Sequence, residues 1–362
     1  MKKLLAITLI LVSAASFAAT NAPFANNTRA LGMGGAYTAI VNNSDSMMWN
    51  PAGTAKGSDF HIDLLDLNIE TDQKTVDFLS YFINNSSVFT QPITLWTATT
   101  IATLSNANMK LNVSDKFAIT GINGFFGLGN VAVGAFAIVN ANVATSYDIL
   151  NINAAINGNL DLVGTLNISG MIDYGLNGLF DSILSGTRLG AGVTGKLINR
   201  WQINEVRSAF DISGLDPKTM LNKLSNPVQG YGFDLGVNLY LPAISSTLSF
   251  VGKDLFESIG ASPVNSSWNL GYGLKIAQGF VADVDVYDVL GTSTFLNKLH
   301  AGAEIDVLAG IIIIRGGIYQ GYPSFGADLF GFIKYADYGV ELGTYPGQLE
   351  NRYHRLSICL GI

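Results

Sequence analysis

Tyr231-Gly-Phe-Asp-Leu-Gly-Val-Asn-Leu-Tyr-Leu241 reads as one strand with two unlike faces. Tyr231, Phe233, Leu235, Val237, Leu239 and Leu241 fall on one side, and Gly232, Asp234, Gly236, Asn238 and Tyr240 on the other. Successive side chains of an extended chain point in opposite directions, whereas a helix would mix the two sets. The split recurs with Trp268, Leu270, Tyr272, Leu274 and Ile276 against Asn269, Gly271, Gly273 and Lys275. It recurs again with Leu299, Ala301, Ala303, Ile305 and Val307 against His300, Gly302, Glu304 and Asp306. Each run has about the length of a tilted membrane strand, roughly 9 to 11 residues. A soluble β-sandwich also alternates, but its outward face carries more charge than the Gly and Asn found here. The pattern therefore favours an all-β transmembrane antiparallel barrel, lipid outside and water within.

The N-terminus agrees. Lys2 and Lys3 precede an apolar run from Leu4 to Val12 and then Ser16-Phe17-Ala18, the form of a signal peptide over residues 1–18. The apolar run is much shorter than the roughly 20 residues of a spanning helix. Cys359 is the only cysteine, which points away from a lipid-anchored start and from an intrachain disulfide. Charged residues are 13% of the chain, against roughly 25% in a soluble protein, and the mean hydropathy is positive. Past the signal no stretch approaches a spanning helix, since even Ile311–Ile314 is stopped by Arg315. A closed barrel is the other structure a bilayer permits, because it pairs every backbone N–H and C=O between strands. A net charge of -7 argues against a nucleic-acid partner.

Outer-membrane barrels have short periplasmic turns and longer outer loops. Candidate tight links are Asn157-Gly158-Asn159, Asn199-Arg200, Pro242-Ala243, Gln278-Gly279 and Ala309-Gly310, and they alternate with longer links at Asp173–Gly186, Ser213–Val228, Asp254–Ser266 and Leu290–Asn297. Asp216-Pro217 opens a candidate helix at Lys218–Leu224. Thr75–Asn84 and Pro92–Leu104 read as helices in the first outer loop. The strands number sixteen if everything from Leu111 to Ile156 joins the wall, and fourteen if one hairpin there does not. Trp201, Trp268, Tyr319, Tyr322, Tyr335, Tyr338, Tyr345 and Tyr353 lie near strand ends, as interfacial girdles would, or as core residues would.

No catalytic constellation emerges, and neither an enzyme, a cofactor nor a metal site is expected. Gly190-Ala-Gly-Val-Thr-Gly-Lys196 resembles a phosphate loop, but Leu197 stands where a hydroxyl is needed and no helix follows. Its alternation reads as a strand with a Gly-rich lumen face. His61, His300 and His354 lie on separate strands without metal or nucleophile spacing. Asp234, Asp283, Asp285, Glu304, Asp306, Asp328, Glu341, Arg188, Lys196, Lys275, Lys334 and Arg355 alternate onto the lumen face, where they would pair or face pore water.

The most distinctive segment is Arg29-Ala-Leu-Gly-Met-Gly-Gly-Ala-Tyr-Thr-Ala-Ile-Val-Asn-Asn-Ser-Asp-Ser-Met-Met-Trp-Asn-Pro-Ala-Gly53. It resembles the start of the FadL superfamily of long-chain fatty-acid outer-membrane transporters and of the related PorV-type barrels, with a glycine-rich stretch followed by Asn-Pro-Ala. The resemblance implies a barrel of fourteen strands, with sixteen as the alternative, in the bacterial cell outer membrane. It also implies an N-terminal hatch or plug over residues 19–57, folded into the lumen of a barrel at 58–362. The motif falls on Asn50, Pro51 and Ala52. Gly32, Gly34 and Gly35 permit tight backbone, and Pro51 interrupts any strand; a Gly-rich surface turn before the first strand is the plainer alternative. By the same resemblance the barrel passes small hydrophobic molecules across or into the membrane, through a groove of outer loops around Phe78–Leu104 and Asn177–Leu184 and a sideways opening in the wall. The implied partners are outer-membrane lipid and a hydrophobic small-molecule ligand. The PorV-type alternative is a non-transporting scaffold for a secreted or surface protein.

Overall fold

The computed structural model describes residues 27–55, 60–88, 97–105, 108–123, 130–148, 151–173, 186–208, 226–341 and 350–362. The signal peptide, the first residues of the expected plug, the 218–224 helix, the 177–184 loop and Tyr345 lie outside them. Among the described residues fourteen strands form one antiparallel sheet: β1 (His61–Asp72), β2 (Asn108–Asn123), β3 (Asn130–Asp148), β4 (Asn151–Asp173), β5 (Arg188–Ser208), β6 (Val228–Leu241), β7 (Ser246–Ile259), β8 (Ser267–Ala277), β9 (Phe280–Val286), β10 (Leu299–Asp306), β11 (Ile312–Tyr319), β12 (Tyr322–Leu329), β13 (Ile333–Glu341) and β14 (Glu350–Gly361). Each strand pairs with the next, and β14 pairs with β1, so the sheet closes on itself. A two-residue strand, Ser262–Pro263, folds back on β7.

The alternation of β6 is realised residue by residue. Tyr231, Phe233, Leu235 and Val237 are exposed on the outer surface, while Gly232, Asp234, Gly236 and Asn238 are buried inside. The glycine-rich run of β5 behaves likewise, with Leu197 69% exposed outward and Lys196 2% exposed in the lumen. The outer face is thus an apolar belt fit for lipid, and the polar core sits inside the barrel.

Two expected turns are not turns. Asn157-Gly158-Asn159 lies within β4 and pairs on both sides, with β3 and with β5. Asn199 and Arg200 lie within β5, where Arg200 donates to both carboxylate oxygens of Asp161 at 2.6 and 2.7 Å. Asn favours turns because its side chain competes for backbone groups, but here Asn157 and Asn159 face a polar lumen; Asn159 donates to Asp161 at 2.6 Å instead. The described residues between Leu111 and Ile156 all join the wall, yet without those two turns the chain makes fewer, longer strands, and the count is fourteen, not sixteen. The expected Asp254–Ser266 link also begins late. β7 continues to Ile259 through a bulge that holds Asp254 and Phe256 at positive φ. Short and long links do not strictly alternate, because Gln320-Gly321 closes a two-residue hairpin at the end that carries the β1–β2 loop, and the long 174–187 link joins β4 to β5 at the opposite end, so the loops expected at Phe78–Leu104 and Asn177–Leu184 do not share one outer groove. Gln320 and Gly321 both have positive φ, as the favoured tight hairpin turn demands.

Pro242-Ala243, Gln278-Gly279 and Ala309-Gly310 do turn the chain. The first long loop carries α3 (Gln73–Asn84) and α4 (Ala98–Ser105). Inside the lumen lie α1 (Thr28–Gly32), α2 (Ser46–Trp49) and a 3-10 turn (Pro51–Ala55), and α5 (Phe295–Lys298) precedes β10. Tyr319, Tyr338 and Tyr353 are not girdle residues. They turn inward and pack in a row with His300 and Tyr287, with neighbouring ring centroids 4.2 to 5.5 Å apart.

Candidate functional site in the barrel lumen

Residues 27–55 fill the lumen, and nearly all are buried. The glycine end and the Asn-Pro-Ala end rest on walls roughly across the barrel from each other. Gly34 and Gly35 take positive φ of 71° and 83°, which a side chain would resist. The carbonyl of Gly34 lies 2.8 Å from His300 Nδ1, and that of Gly35 accepts from the Tyr287 hydroxyl at 2.5 Å. Gly32 passes so close to β12 that a Cβ on it would stand 2.9 Å from the Cα of Gly326.

At the other wall Asn50 is wholly buried. Its Nδ2 donates to Thr38 O at 2.7 Å and to Asn238 Oδ1 at 2.8 Å, while its Oδ1 accepts from the Ala52 N–H at 3.0 Å. The Pro51 carbonyl accepts from Asn167 at 3.2 Å, and Thr54 donates to Asn167 Oδ1 at 2.6 Å. The wall makes room by omitting side chains. A Cβ on Gly192 would fall on Pro51, one on Gly236 on Asn50, and one on Gly302 or Gly317 on Met33. Every one of these glycines lies on the lumen face of its strand.

Charges complete the seat. The Arg29 guanidinium bridges to Glu304 with two contacts of 2.8 Å, and Glu304 also meets Arg315, which is bonded to Asp328. Burial opposes the Arg29 charge, but the Tyr37 phenol and the Glu304 carboxylate beside it hold its pKa above the ordinary value, and burial pushes the Tyr37 phenol up. Lys116 of β2 donates to Asp45 at 2.6 Å and Ser44 at 2.9 Å, and stands 3.0 Å from Asp66. Lys253 donates to the Met48 carbonyl and pairs with Asp234, which also meets Lys196. Asp285 Oδ2 accepts the backbone N–H groups of Tyr37 and Thr38 at 2.8 and 2.9 Å, and Asp283 that of Ala39 at 3.2 Å. Alternation places these carboxylates in the lumen. It does not reveal that their partners are main-chain amides far away in sequence.

One seam of the wall is irregular. Between Asp63–Ala118 and Asn68–Ser114 the β1–β2 ladder is broken, and Asp115 Oδ1 there accepts the backbone N–H groups of Asp66 and Lys116 at 3.1 and 2.8 Å. Inside that break lies a cavity of about 40 Å³, lined by Met48 and Trp49 of the lumen segment and by Asp66, Asn68, Lys116 and Phe136 of the wall. Trp49 and Met48 belong to an apolar cluster with Phe136, Val163 and Ile198. His61, His300 and His354 stay apart, and no metal-ligating group of three His, Cys, Asp or Glu occurs among the described residues.

No family model matches the chain, and no curated protein does. Solved structures do. A deltaS2 mutant of the monoaromatic hydrocarbon channel TodX is similar at 11% identity with a TM-score of 0.54, covering 94% of this chain and 98% of that one. The toluene transporter TbuX of Ralstonia pickettii is similar at 13% identity with a TM-score of 0.53 and the same coverage. At such identity the likeness speaks for architecture alone: this chain has the fold of the FadL-type outer-membrane barrels.

Proposed function

We propose that the protein is an outer-membrane barrel that passes small hydrophobic molecules across or into the membrane, with residues 27–55 as its hatch. One observation carries the reading: a separate segment of chain blocks the lumen and meets the wall at a break in the β1–β2 ladder, where apolar Trp49, Met48 and Phe136 border a small cavity. The hydrocarbon channels of the same fold support it. At about 40 Å³ the cavity holds little more than water, whereas a site for benzene needs about 150 Å³. The seated hatch is therefore a closed state. Movement of Met48 and Trp49 enlarges the space toward the seam, and a hydrophobe resting on the apolar cluster then leaves sideways into lipid.

The test is mass spectrometry of small molecules extracted from gently purified protein, alongside uptake by cells carrying wild type or an Asn50→Ala, Pro51→Ala variant. A defined hydrophobic ligand in the wild type, altered in the variant, supports transport. An empty lumen with unchanged uptake removes this reading. A stoichiometric protein partner in cross-linked pulldowns would then favour the scaffold.

A further inference from the structure

α3 has three faces, not two. Thr75, Phe78 and Phe82 are buried against the protein. Asp77, Ser80 and Asn84 form an exposed polar face. Between them Val76, Leu79 and Ile83, at i, i+3 and i+7, make an apolar stripe that is 38%, 38% and 69% exposed. A helix with a polar face and an apolar face beside its docking face has the build of an element lying in a membrane interface.

Its position agrees. α3 follows β1 without a link, is capped by Asp72, and packs on β1, β2 and β14. Its first residue, Gln73, accepts at 2.7 Å from Nε2 of His354, whose Nδ1 lies 2.9 Å from the hydroxyl of outward-facing Tyr335. The helix thus begins at the upper edge of the outer belt. On β14 the outward apolar residues Leu356, Ile358 and Leu360 adjoin outward Ile69 of β1, which pairs with Leu356, and above them come His354, Arg352 and the start of the helix.

We infer that α3 lies in the bilayer interface and presents Val76, Leu79 and Ile83 to lipid acyl chains, so that the apolar belt of the β14–β1 wall continues upward onto the helix. The occupant is lipid because the stripe continues an existing lipid-facing surface. This rests on the barrel spanning a membrane, not on transport.

Single cysteines at Val76, Leu79, Ile83, Asp77 and Ser80, in a Cys359→Ser background, would carry a polarity-sensitive fluorophore in phospholipid vesicles. Quenching by chain-brominated lipid should be several-fold stronger at the first three positions than at Asp77 and Ser80, and quenching by aqueous iodide the reverse. Equal iodide access at all five positions would overturn the inference. So would protection of the stripe only after toluene is added, which would make it a ligand groove. Heat-modifiable migration verifies folding of each variant. Should the Cys359→Ser background fail to fold, the half-buried Cys359 is kept and its unlabelled state verified by mass.

Discussion

Replacing Asn50 by alanine tests whether the lumen segment is held by a few definable bonds. The side chain makes three, at 2.7, 2.8 and 3.0 Å, to Thr38 O, Asn238 and the Ala52 N–H. Each is worth about 1 kcal/mol net, and a buried partner left unsatisfied costs about 1–3 kcal/mol. Asn238 Oδ1 keeps its bond from Ser249 at 2.6 Å, so the orphaned groups are the Thr38 carbonyl and the Ala52 amide. The expected loss is about 3 kcal/mol of seating energy, roughly a 100-fold rise in the unseated population. Hydrogen exchange of residues 28–55 in detergent reads this directly, with strand amides as the internal reference. The segment should exchange faster while β6 and β7 do not. Asn238→Ala should cost less, because Asn50 keeps its bonds to Thr38 and Ala52. The double variant should reveal a coupling of about 0.5–1.5 kcal/mol for the shared bond. Unchanged exchange in the segment, or equal acceleration throughout the barrel, would refute the reasoning.

Gly302→Val should unseat the segment, because its Cβ would fall on the Met33 carbonyl, whereas Gly316→Val, on the outer face with nothing nearer than 4.0 Å, should be neutral; conductance in planar bilayers should rise for the first alone. Lys116→Met leaves Asp45, Asp63 and Asp66 facing one another without their cation, a loss of about 3–5 kcal/mol, seen as faster exchange at residues 44–49 in a barrel that still migrates as folded. Burial raises the Tyr37 phenol, so its contribution is complete below the ordinary phenol pKa of about 10 and is lost as pH rises through the higher seated value. Above about pH 10 the segment should therefore lose protection relative to the strand amides, beyond the base-catalysed rise common to all amides, and Tyr37→Phe, which keeps the ring against Trp49 at 5.6 Å, should remove that extra loss.

The barrel was legible because its signal is local. Alternation within β6 or β8 is set by the pleat alone and survives whatever the loops do. Local sequence misleads where a residue type has two uses. Asn157 and Asn159 are turn formers by propensity and lumen liners by position, and only pairing with β3 and β5 decides between them. Tyr319, Tyr338 and Tyr353 sit near strand ends, but parity turns them inward. The lumen segment was legible as a motif, while its seat was not. Asp285 holds Tyr37 and Thr38 from almost 250 residues away in sequence, and no period or spacing encodes such a bond.

One signal for the seat was nonetheless present. An open polar lumen requires side chains that water can hydrate, and nothing in that requirement selects glycine, which weakens a strand by roughly 0.5–1 kcal/mol relative to alanine. Gly192, Gly236, Gly302, Gly317 and Gly326 all lie on the lumen parity of their strands, and a Cβ on any of them would strike the lumen segment or its partner glycine. Glycine on the inward face is thus a mark of close backbone approach, and on five strands at once it implies that something solid fills the lumen. An exported alternating chain whose inward positions are repeatedly glycine can be expected to hold a plug, even where no plug motif is recognised.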